Sequence, residues 1–330
     1  MSKARISLLV LLLPLYALIA GCSKNPADSS PTDDWTIVLN EWATGTPMPT
    51  ARHLAAVGVI DGKLYVAGGW INQSVDMLEI HDPVDDTWTT GASMLTPRFS
   101  TFSGVIDGKL YVGGGSNVGP GVYEYLKTLE IYDPVSDSWT YGASTPIHHS
   151  GAVAEVVERT LYVIGRYGVE AYDPDSDTWA ERSPMLTPRS WASSGMMNGK
   201  IYVVGGYSAS VTTNILEIYD PASDTWSTGE PMPSERVCAA AGVINGKLYV
   251  AGGELNDPAG IGYKKFDVLE VYGPISNSWV ERTSLPTTRN RAVAGVIDDK
   301  LYVVGGDGWV ELEGGGKYWS YVGTLSIYTP

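Results

Sequence analysis

Histidine and cysteine, whose side chains bind copper and zinc, are few in this chain. The four histidines are His53, His81, His148 and His149, and the one cysteine beyond the N-terminal segment is Cys238. A copper or zinc site needs several imidazole or thiolate ligands that the fold brings together. Only two of the histidines are adjacent, and the cysteine lies far along the chain from them. We therefore expect no metal site and no cofactor, and we interpret Cys238 as a small buried apolar side chain.

Acidic side chains offer a second kind of chemistry, general acid–base catalysis. Four acids lie in segments of variable length, with Arg291 as a basic neighbour: Glu254, Asp257, Glu311 and Glu313. A loop carboxylate is usually solvated, and nothing in the spacing of these four demands a reaction. The chain also contains no glycine-rich phosphate loop, nucleophile elbow or HExxH segment. These observations favour a binding protein over an enzyme.

The elements that must position these side chains come from a repeat. Six segments of the chain align with one another: DGKLYVAGG (61–69), DGKLYVGGG (107–115), RTLYVIGR (159–166), NGKIYVVGG (198–206), NGKLYVAGG (245–253) and DDKLYVVGG (298–306). Each is followed by a second signature, which reads LEIHDP, LEIYDP, VEAYDP, LEIYDP, LEVYGP and LSIYTP in turn. In the first five units a tryptophan comes next, and ten residues later an arginine, or His149 in the third unit, opens the following unit. Such self-similarity at a fixed period indicates a repeat architecture.

Within each unit the pattern is that of short strands joined by tight turns. In the first unit Leu64 and Val66 point to one side of a strand and Tyr65 points to the other. Both sides are apolar, as expected for a sheet that is covered on both faces. Asp-Gly or Asn-Gly before the strand suits a two-residue hairpin turn, and Asp-Pro after the second signature suits the next turn. The sequence therefore predicts an all-β protein.

Paired glycines, a spaced tyrosine and tryptophan, and an arginine that opens the next unit together resemble the kelch repeat. The resemblance covers residues 35–330 and implies a six-bladed β-propeller with four strands in each blade. The last unit stops after LSIYTP without its tryptophan, whereas Trp42 lies ten residues before Arg52, the spacing found in every other unit. The N-terminal strand is therefore predicted to complete the sixth blade and close the ring, which removes open sheet edges.

The spacings also locate the variable part of each unit. The distances from arginine to glycine, from glutamate to tryptophan and from tryptophan to arginine are constant, and length varies only between the first glycine and the glutamate. That stretch connects the second and third strands, on the same face as the links between blades, and loops on a constant scaffold carry function. Aromatic residues that the scaffold does not require gather there, and we predict that the following bind a ligand: Trp70, Tyr123, Tyr125, Tyr167, Tyr207, Tyr263, Trp309, Tyr318 and Trp319. Packing among the loops themselves is the alternative role for these rings.

A further set of positions lies two residues after each repeated arginine: Leu54, Ser100, Gly151, Trp191, Cys238 and Arg291. In some kelch proteins, residues near here line the channel mouth and bind peptide. The resemblance therefore adds Trp191 and Arg291 to the predicted binding residues. The repeated arginines themselves recur irrespective of any ligand, so we interpret them as scaffold that bonds backbone carbonyls.

The N-terminus predicts export. Residues 1–21 combine Lys3 and Arg5 with an apolar run and end in small residues before Cys22, which resembles the lipobox of bacterial lipoproteins. Cys22 would then be lipidated, and the polar, proline-containing residues 22–34 would form a flexible tether. The propeller would thus be a monomer held at the bacterial cell envelope, on the outer membrane or periplasmic side, in contact with the membrane only through its lipid.

The net charge and the family resemblance together limit the possible functions of this protein. A formal net charge of −15 repels phosphate backbones, so nucleic acid is not expected as a partner. The kelch fold also hosts copper-radical oxidases and sialic-acid mutarotases, but the histidines and cysteine here do not suit the former. We predict a non-enzymatic recognition module that binds a protein, a peptide or a glycan on the variable-loop face. A carbohydrate-active enzyme such as a sialic-acid mutarotase is the alternative, which an acid pair inside the funnel would favour.

Overall fold

The computed structural model describes residues 40–256, 263–311 and 317–330, and they form strands, turns and loops without a helix. The predicted signal segment 1–21, Cys22 and the tether 22–34 lie outside these ranges. Within the described ranges no helix is long and apolar enough to cross a membrane.

Six four-stranded antiparallel sheets form the blades. The first blade contains β2 (Ala56–Ile60), β3 (Lys63–Ala67), β4 (Leu78–Asp82) and β5 (Thr87–Gly91). The second contains β6 (Phe102–Ile106), β7 (Lys109–Gly113), β10 (Leu129–Asp133) and β11 (Ser138–Gly142). The third contains β12 (Val153–Val157), β13 (Thr160–Gly165), β14 (Gly168–Asp173) and β15 (Thr178–Arg182).

The remaining blades follow the same plan. The fourth contains β16 (Ser193–Met197), β17 (Lys200–Val204), β20 (Leu216–Asp220) and β21 (Thr225–Thr228). The fifth contains β22 (Ala240–Ile244), β23 (Lys247–Ala251), β26 (Leu269–Gly273) and β27 (Ser278–Arg282). The sixth contains β28 (Val293–Ile297), β29 (Lys300–Val304), β32 (Leu325–Thr329) and β1 (Glu41–Gly45). The first strand of each blade contacts the first strands of both neighbouring blades, so the blades follow chain order around a central channel.

The predicted turns explain why the strands end where they do. Between β2 and β3, Asp61 and Gly62 both have positive φ, at 49° and 71°, the combination that a two-residue hairpin turn requires. Aspartate and asparagine tolerate this left-handed conformation better than most residues, and glycine adopts it at no steric cost. Asp61 and Gly62 therefore reverse the chain within two residues, which leaves no room for an inserted residue in this turn.

Ring closure follows from the pairing of β1 with β32. Trp42 lies opposite Tyr328 in this antiparallel pair, and their rings are 5.1 Å apart. The Trp42 indole N–H donates to the carbonyl of Thr283 at the end of the fifth blade, at 2.7 Å. The tryptophan of each other blade bonds the carbonyl of the preceding link in the same way: Trp88 to Thr46, Trp139 to Ala92, Trp179 to Ala143, Trp226 to Ser183 and Trp279 to Glu230. The repeated tryptophan therefore forms a hydrogen bond between neighbouring blades and also packs within its own blade.

The repeated arginines are buried scaffold, as the sequence predicts. Arg98 donates to Glu130 at 2.5 Å, with both side chains fully buried, and also to the carbonyls of Gly114 and Thr128. The same pairing with the glutamate of the second signature recurs in three other blades and, through a histidine, in the third: Arg52–Glu79, Arg189–Glu217, Arg236–Glu270 and His149–Glu170. A buried guanidinium needs such a partner because desolvation otherwise disfavours its charge.

The sixth blade departs from this pattern. Arg289 is 3% exposed, but Ser326 stands where the other blades have glutamate. The guanidinium instead donates to the carbonyl of Thr324 and the hydroxyl of Thr287, and within the described residues it has no carboxylate partner. Burial lowers the pKa of Arg289 to about 10.

We expect Ser326→Glu to be more stable than Ser326→Gln, because only the former supplies the missing charge. The two side chains have nearly the same volume, so any cost of overpacking cancels in the comparison. A carboxylate beside a buried guanidinium should raise the free energy of unfolding by about 1–3 kcal/mol relative to the amide. Urea denaturation measures this difference, and equal stability of the two variants would contradict the expectation.

Candidate functional site

One face of the ring carries both the links between blades and the connections between the second and third strands. The residue after each repeated arginine pairs there with the residue after the paired glycines, as in His53 with Trp70 and Asn290 with Asp307. In four blades the connection continues into a two-stranded extension: β8 (Ser116–Gly119) with β9 (Val122–Tyr125), β18 (Tyr207–Ser208) with β19 (Val211–Thr212), β24 (Glu254–Asn256) with β25 (Tyr263–Lys265), and β30 (Asp307–Glu311) with β31 (Lys317–Tyr321). In the third blade only Arg166 and Tyr167 join the strands, so the rim is lowest there. We call this surface the variable face.

The channel mouth on the variable face is a ring of six residues, each two positions after a repeated arginine or its equivalent: Leu54, Ser100, Gly151, Trp191, Cys238 and Arg291. All six have φ between 54° and 70°. The backbone N–H of each donates to the carbonyl of the ring residue in the preceding blade, at 2.7–3.0 Å, and Leu54 closes the circle by donating to Arg291. A continuous belt of hydrogen bonds thus joins all six blades at the mouth. We call it the mouth ring.

Two buried acids converge on Arg291 in the mouth ring. Its guanidinium donates to Glu254 at 2.9 Å and to Asp307 at 3.1 Å, and those two side chains are only 3% and 5% exposed. Glu254 also accepts from Asn290 at 2.7 Å and from Lys265 at 3.1 Å. The Arg291 side chain remains 31% exposed at the mouth. The acids therefore hold the arginine in place, and it presents part of its cationic plane to the channel opening.

His53 completes this cluster from the first blade. Its Nδ1 lies 2.7 Å from the second oxygen of Asp307, and its ring meets that of Tyr321 edge-on at 5.0 Å. The Tyr321 hydroxyl accepts from the Trp70 indole N–H at 3.2 Å. Polar and aromatic contacts thus connect the first, fifth and sixth blades around Arg291. We call the group of Arg291, Glu254, Asp307, Asn290 and His53 the arginine cluster.

The sequence interpretation of Cys238 as a buried apolar side chain needs correction. Cys238 is half-buried and is part of the mouth ring beside Arg291. Burial, reinforced by the nearby negative charge of Glu254, raises the pKa of its thiol to about 12. A thiol with so high a pKa is protonated at neutral pH, which makes it a poor nucleophile.

Exposed aromatic rings form a wall over the second and third blades. Tyr123, Tyr125 and Tyr167 are 67%, 50% and 59% exposed. The Tyr125 ring is 5.4 Å from Tyr123 and stacks on His148 at 5.2 Å, and His148 in turn is 4.8 Å from Tyr167. The structure therefore brings three of the predicted binding residues into one continuous row. His148 joins that row, although the sequence analysis considered it only as a candidate metal ligand and predicted no metal site.

A second aromatic group belongs to the extension of the sixth blade. Trp309 is 49% exposed and meets Trp319 edge-on at 5.4 Å, and Tyr318 is 46% exposed. Trp319 is half-buried and carries the Lys265 ammonium 4.2 Å above its ring. Trp309 and Tyr318 are therefore the accessible members, whereas Trp319 also packs the two extensions together. The backbones of Tyr263 and Glu311 lie in β25 and β30, but their side chains, like residues 257 and 313, lie outside what the structure describes.

Of the remaining predicted binding residues, some are exposed at the surface and others pack against neighbouring side chains. Trp191 in the mouth ring is 39% exposed, and its ring is 6.1 Å from the half-buried Tyr207. Trp70 is half-buried between Phe99, at 4.8 Å, and Tyr321. The predicted binding residues thus surround the mouth in separate groups. His53, Asn290 and Asp307 were missed as site residues, and their shared offset from the arginine and glycine positions is the signal that could have revealed them.

Comparisons with known proteins agree with this architecture. The kelch motif model matches residues 51–95, 97–146, 188–233 and 235–286, more than half of the chain. No curated protein matches. A solved structure described as "Structure of YjhT" is similar with a TM-score of 0.71 and 18% sequence identity, over 83% of this chain and 95% of that one, a likeness of fold alone. The matched repeats and the six-bladed ring show that the chain belongs to the kelch-repeat family.

Proposed function

We propose that this propeller is a non-enzymatic recognition module that binds its ligand, a protein, peptide or glycan, on the variable face. The observation that carries the proposal is the set of exposed aromatic side chains around the mouth, including Tyr123, Tyr167, Trp191 and Trp309. Tyrosine and tryptophan are enriched at recognition surfaces because they offer a large rigid area with a polar edge. These four side chains are 39–67% exposed, so much of their surface is available to a ligand.

The arginine cluster supports recognition more than catalysis. Glu254 and Asp307 form an acid pair at the mouth, the feature that favours the mutarotase alternative. Both acids, however, are buried and already engaged by Arg291, so neither carboxylate is directed at a ligand in the channel. General acid–base catalysis needs a carboxyl group within hydrogen-bond reach of the substrate proton. The cluster instead presents one oriented guanidinium, which suits binding of a carboxylate or a polar carbonyl group.

Identification of the ligand is the direct experiment. We expect the purified protein to capture a specific ligand from an envelope extract or on a glycan array, with the Trp309→Ala variant as the negative comparison. A protein that anomerises a free sugar in an NMR assay, with no ligand retained by the aromatic surface, would contradict the proposal in favour of the enzyme.

Trp309→Ala should weaken that binding at least tenfold and leave the melting temperature nearly unchanged. Truncation of an interface aromatic at a hot spot costs about 2 kcal/mol or more in binding free energy. Trp309 is 49% exposed, so its loss removes little packing. The matched control is Ile275→Ala, since Ile275 is fully exposed on a tight turn of the opposite face. Trp319→Ala should weaken binding as well but also lower the melting temperature, because the lysine and Trp309 pack on that ring.

If Trp309→Ala binds normally, the rings of the sixth blade only stabilise their own extension. Equal losses of binding affinity in Trp309→Ala and Ile275→Ala would also contradict the assignment, because the effect would then not depend on which face of the ring is changed.

We further propose that the protein is anchored to the bacterial cell envelope through a lipid on Cys22. The support is the positively charged, apolar segment that ends in small residues before this cysteine. Cys22→Ser should shift the protein from the membrane fraction to the soluble exported fraction. Mass spectrometry of the wild type checks the premise, and an unacylated cysteine would refute the lipoprotein assignment.

A further inference from the structure

One ionisable side chain lies inside the central channel. The first strands of the six blades surround a cavity of about 500 Å³ lined almost entirely by valine, alanine, glycine and serine. Glu155, on β12 of the third blade, is the single charged residue among those that line it. The cavity at the mouth ring shares wall residues with this channel, among them Thr101, Ala192 and Ala292. The cavity at the mouth ring therefore adjoins the channel that Glu155 lines.

Glu155 replaces a glycine that the other five blades keep at the middle of the first strand: Gly58, Gly104, Gly195, Gly242 and Gly295. That glycine allows close approach of the next blade. A Cβ on Gly104 would lie 2.6 Å from the Leu161 side chain and 2.9 Å from Val156. Such distances are too short for non-bonded carbon atoms, so a larger residue at this position needs a changed neighbour.

The neighbour of Glu155 is changed. At the two positions where the other blades have valine and leucine, the fourth blade has Met196 and Ile201, which face each other across β16 and β17. Ser194 on β16 donates its hydroxyl to the Glu155 carboxyl at 2.7 Å, and the backbone N–H of Met196 donates as well. The boundary between the third and fourth blades is therefore built around the carboxyl group.

The surroundings of this carboxyl group favour a cation. Burial raises the pKa of Glu155 to about 7, while its two hydrogen-bond donors act in the opposite direction. The titratable side chains on strands packed against β12 are Tyr162 on β13 and Lys200 and Tyr202 on β17, and none of the three is hydrogen-bonded to it. In its ionised form Glu155 has no counter-ion among the described residues, and it lies between apolar walls where its attraction for a positive charge is stronger than in water.

We propose that Glu155 anchors a protonated primary amine, such as a peptide N-terminus or a lysine side chain, in the central channel. A monovalent ammonium matches a single carboxylate in charge, and its three N–H groups match the carboxylate and hydroxyl oxygens of the same wall. Calcium and magnesium ions, in contrast, take six or more oxygen ligands. The net charge of −15 adds a field that draws cations toward the protein. This site lies below the variable face and does not depend on its aromatic rings.

The test uses n-hexylammonium as the probe, n-hexanol as its uncharged control, and isothermal titration calorimetry on the wild type and Glu155→Gln. The amine stays protonated over the range tested, so affinity follows the ionised fraction of Glu155. With a pKa of about 7, that fraction falls about tenfold between pH 8 and pH 6, and the apparent dissociation constant should rise by the same factor. Glu155→Gln should lose both the binding and its pH dependence, and hexanol should not bind.

Two controls separate this proposal from a loss of fold and from the proposed function. The pKa of Glu155 is raised from 4.5 to about 7 in the folded state, so its protonated form stabilises the fold at low pH and this contribution is lost as the pH rises from about 4.5 through about 7. The wild type should therefore lose stability relative to Glu155→Gln over that pH range. Trp309→Ala should bind hexylammonium normally. Unchanged hexylammonium affinity in Glu155→Gln, equal binding of hexanol, or no binding by the wild type would each overturn the inference.

Discussion

Loss of β1 should destabilise the entire propeller. A chain that begins at Thr46 lacks the five residues paired with β32, the Trp42 bond to the fifth blade and the contact between Trp42 and Tyr328. The sixth blade would keep three strands and expose β32 as an unprotected edge. Because each blade packs against both of its neighbours, a damaged sixth blade should weaken the whole ring. We expect a fall in melting temperature of more than about 10 °C, or failure to fold at 37 °C.

The matched control is a chain that begins at residue 35, which removes the N-terminal segment but keeps β1 whole. It should melt as the full-length protein does. Thermal unfolding followed by circular dichroism measures both chains. If the chain that begins at Thr46 melted at the same temperature as the control, or lost only a small early transition while the rest unfolded normally, β1 would be an appendage of the sixth blade and not its closing strand.

Glu130→Gln should also cause a large loss of stability, second only to the loss expected on removal of β1. The Glu130 carboxylate accepts from the Arg98 guanidinium and, at 2.7 Å, from the backbone N–H of Leu95 on the link between blades. The amide leaves Arg98 as a buried cation without a counter-ion. Breaking a fully buried ion pair in this way costs about 3–5 kcal/mol of the free energy of unfolding.

Lys109→Met provides the comparison, because Lys109 pairs with Asp133 at 2.9 Å in the same blade but on the surface. Its side chain is 45% exposed, so the pair should contribute far less to stability than the buried pair of Arg98 and Glu130. Guanidinium denaturation of both variants against the wild type measures the two losses. Similar losses would show that burial does not determine the strength of these pairs, contrary to our account of the scaffold.

The sequence by itself determined the repeated architecture of this protein. Strand patterns, hairpin turns and the spacing from Trp42 to Arg52 predict six blades and a closing N-terminal strand, since each depends on local alternation or on a fixed offset between units. The repeated arginines could be interpreted as scaffold for the same reason. The variable face followed from loop lengths alone, because four strands in a meander place alternate connections on the same side.

Only the tertiary structure decided which side chains meet at the mouth and in the channel. His53 and Asp307 are 254 residues apart in sequence and hydrogen-bonded in space, and the two acids around Arg291 come from different blades. In the sequence, Glu155 is only a single residue that replaces a glycine of the other units. Its hydrogen bonds with Ser194 and Met196 of the next blade are visible only in the structure. Ring closure brings distant units together, and the accessibility of each side chain depends on those neighbours. Local patterns carry no record of these contacts, so the repeat predicts where a site lies but not its chemistry.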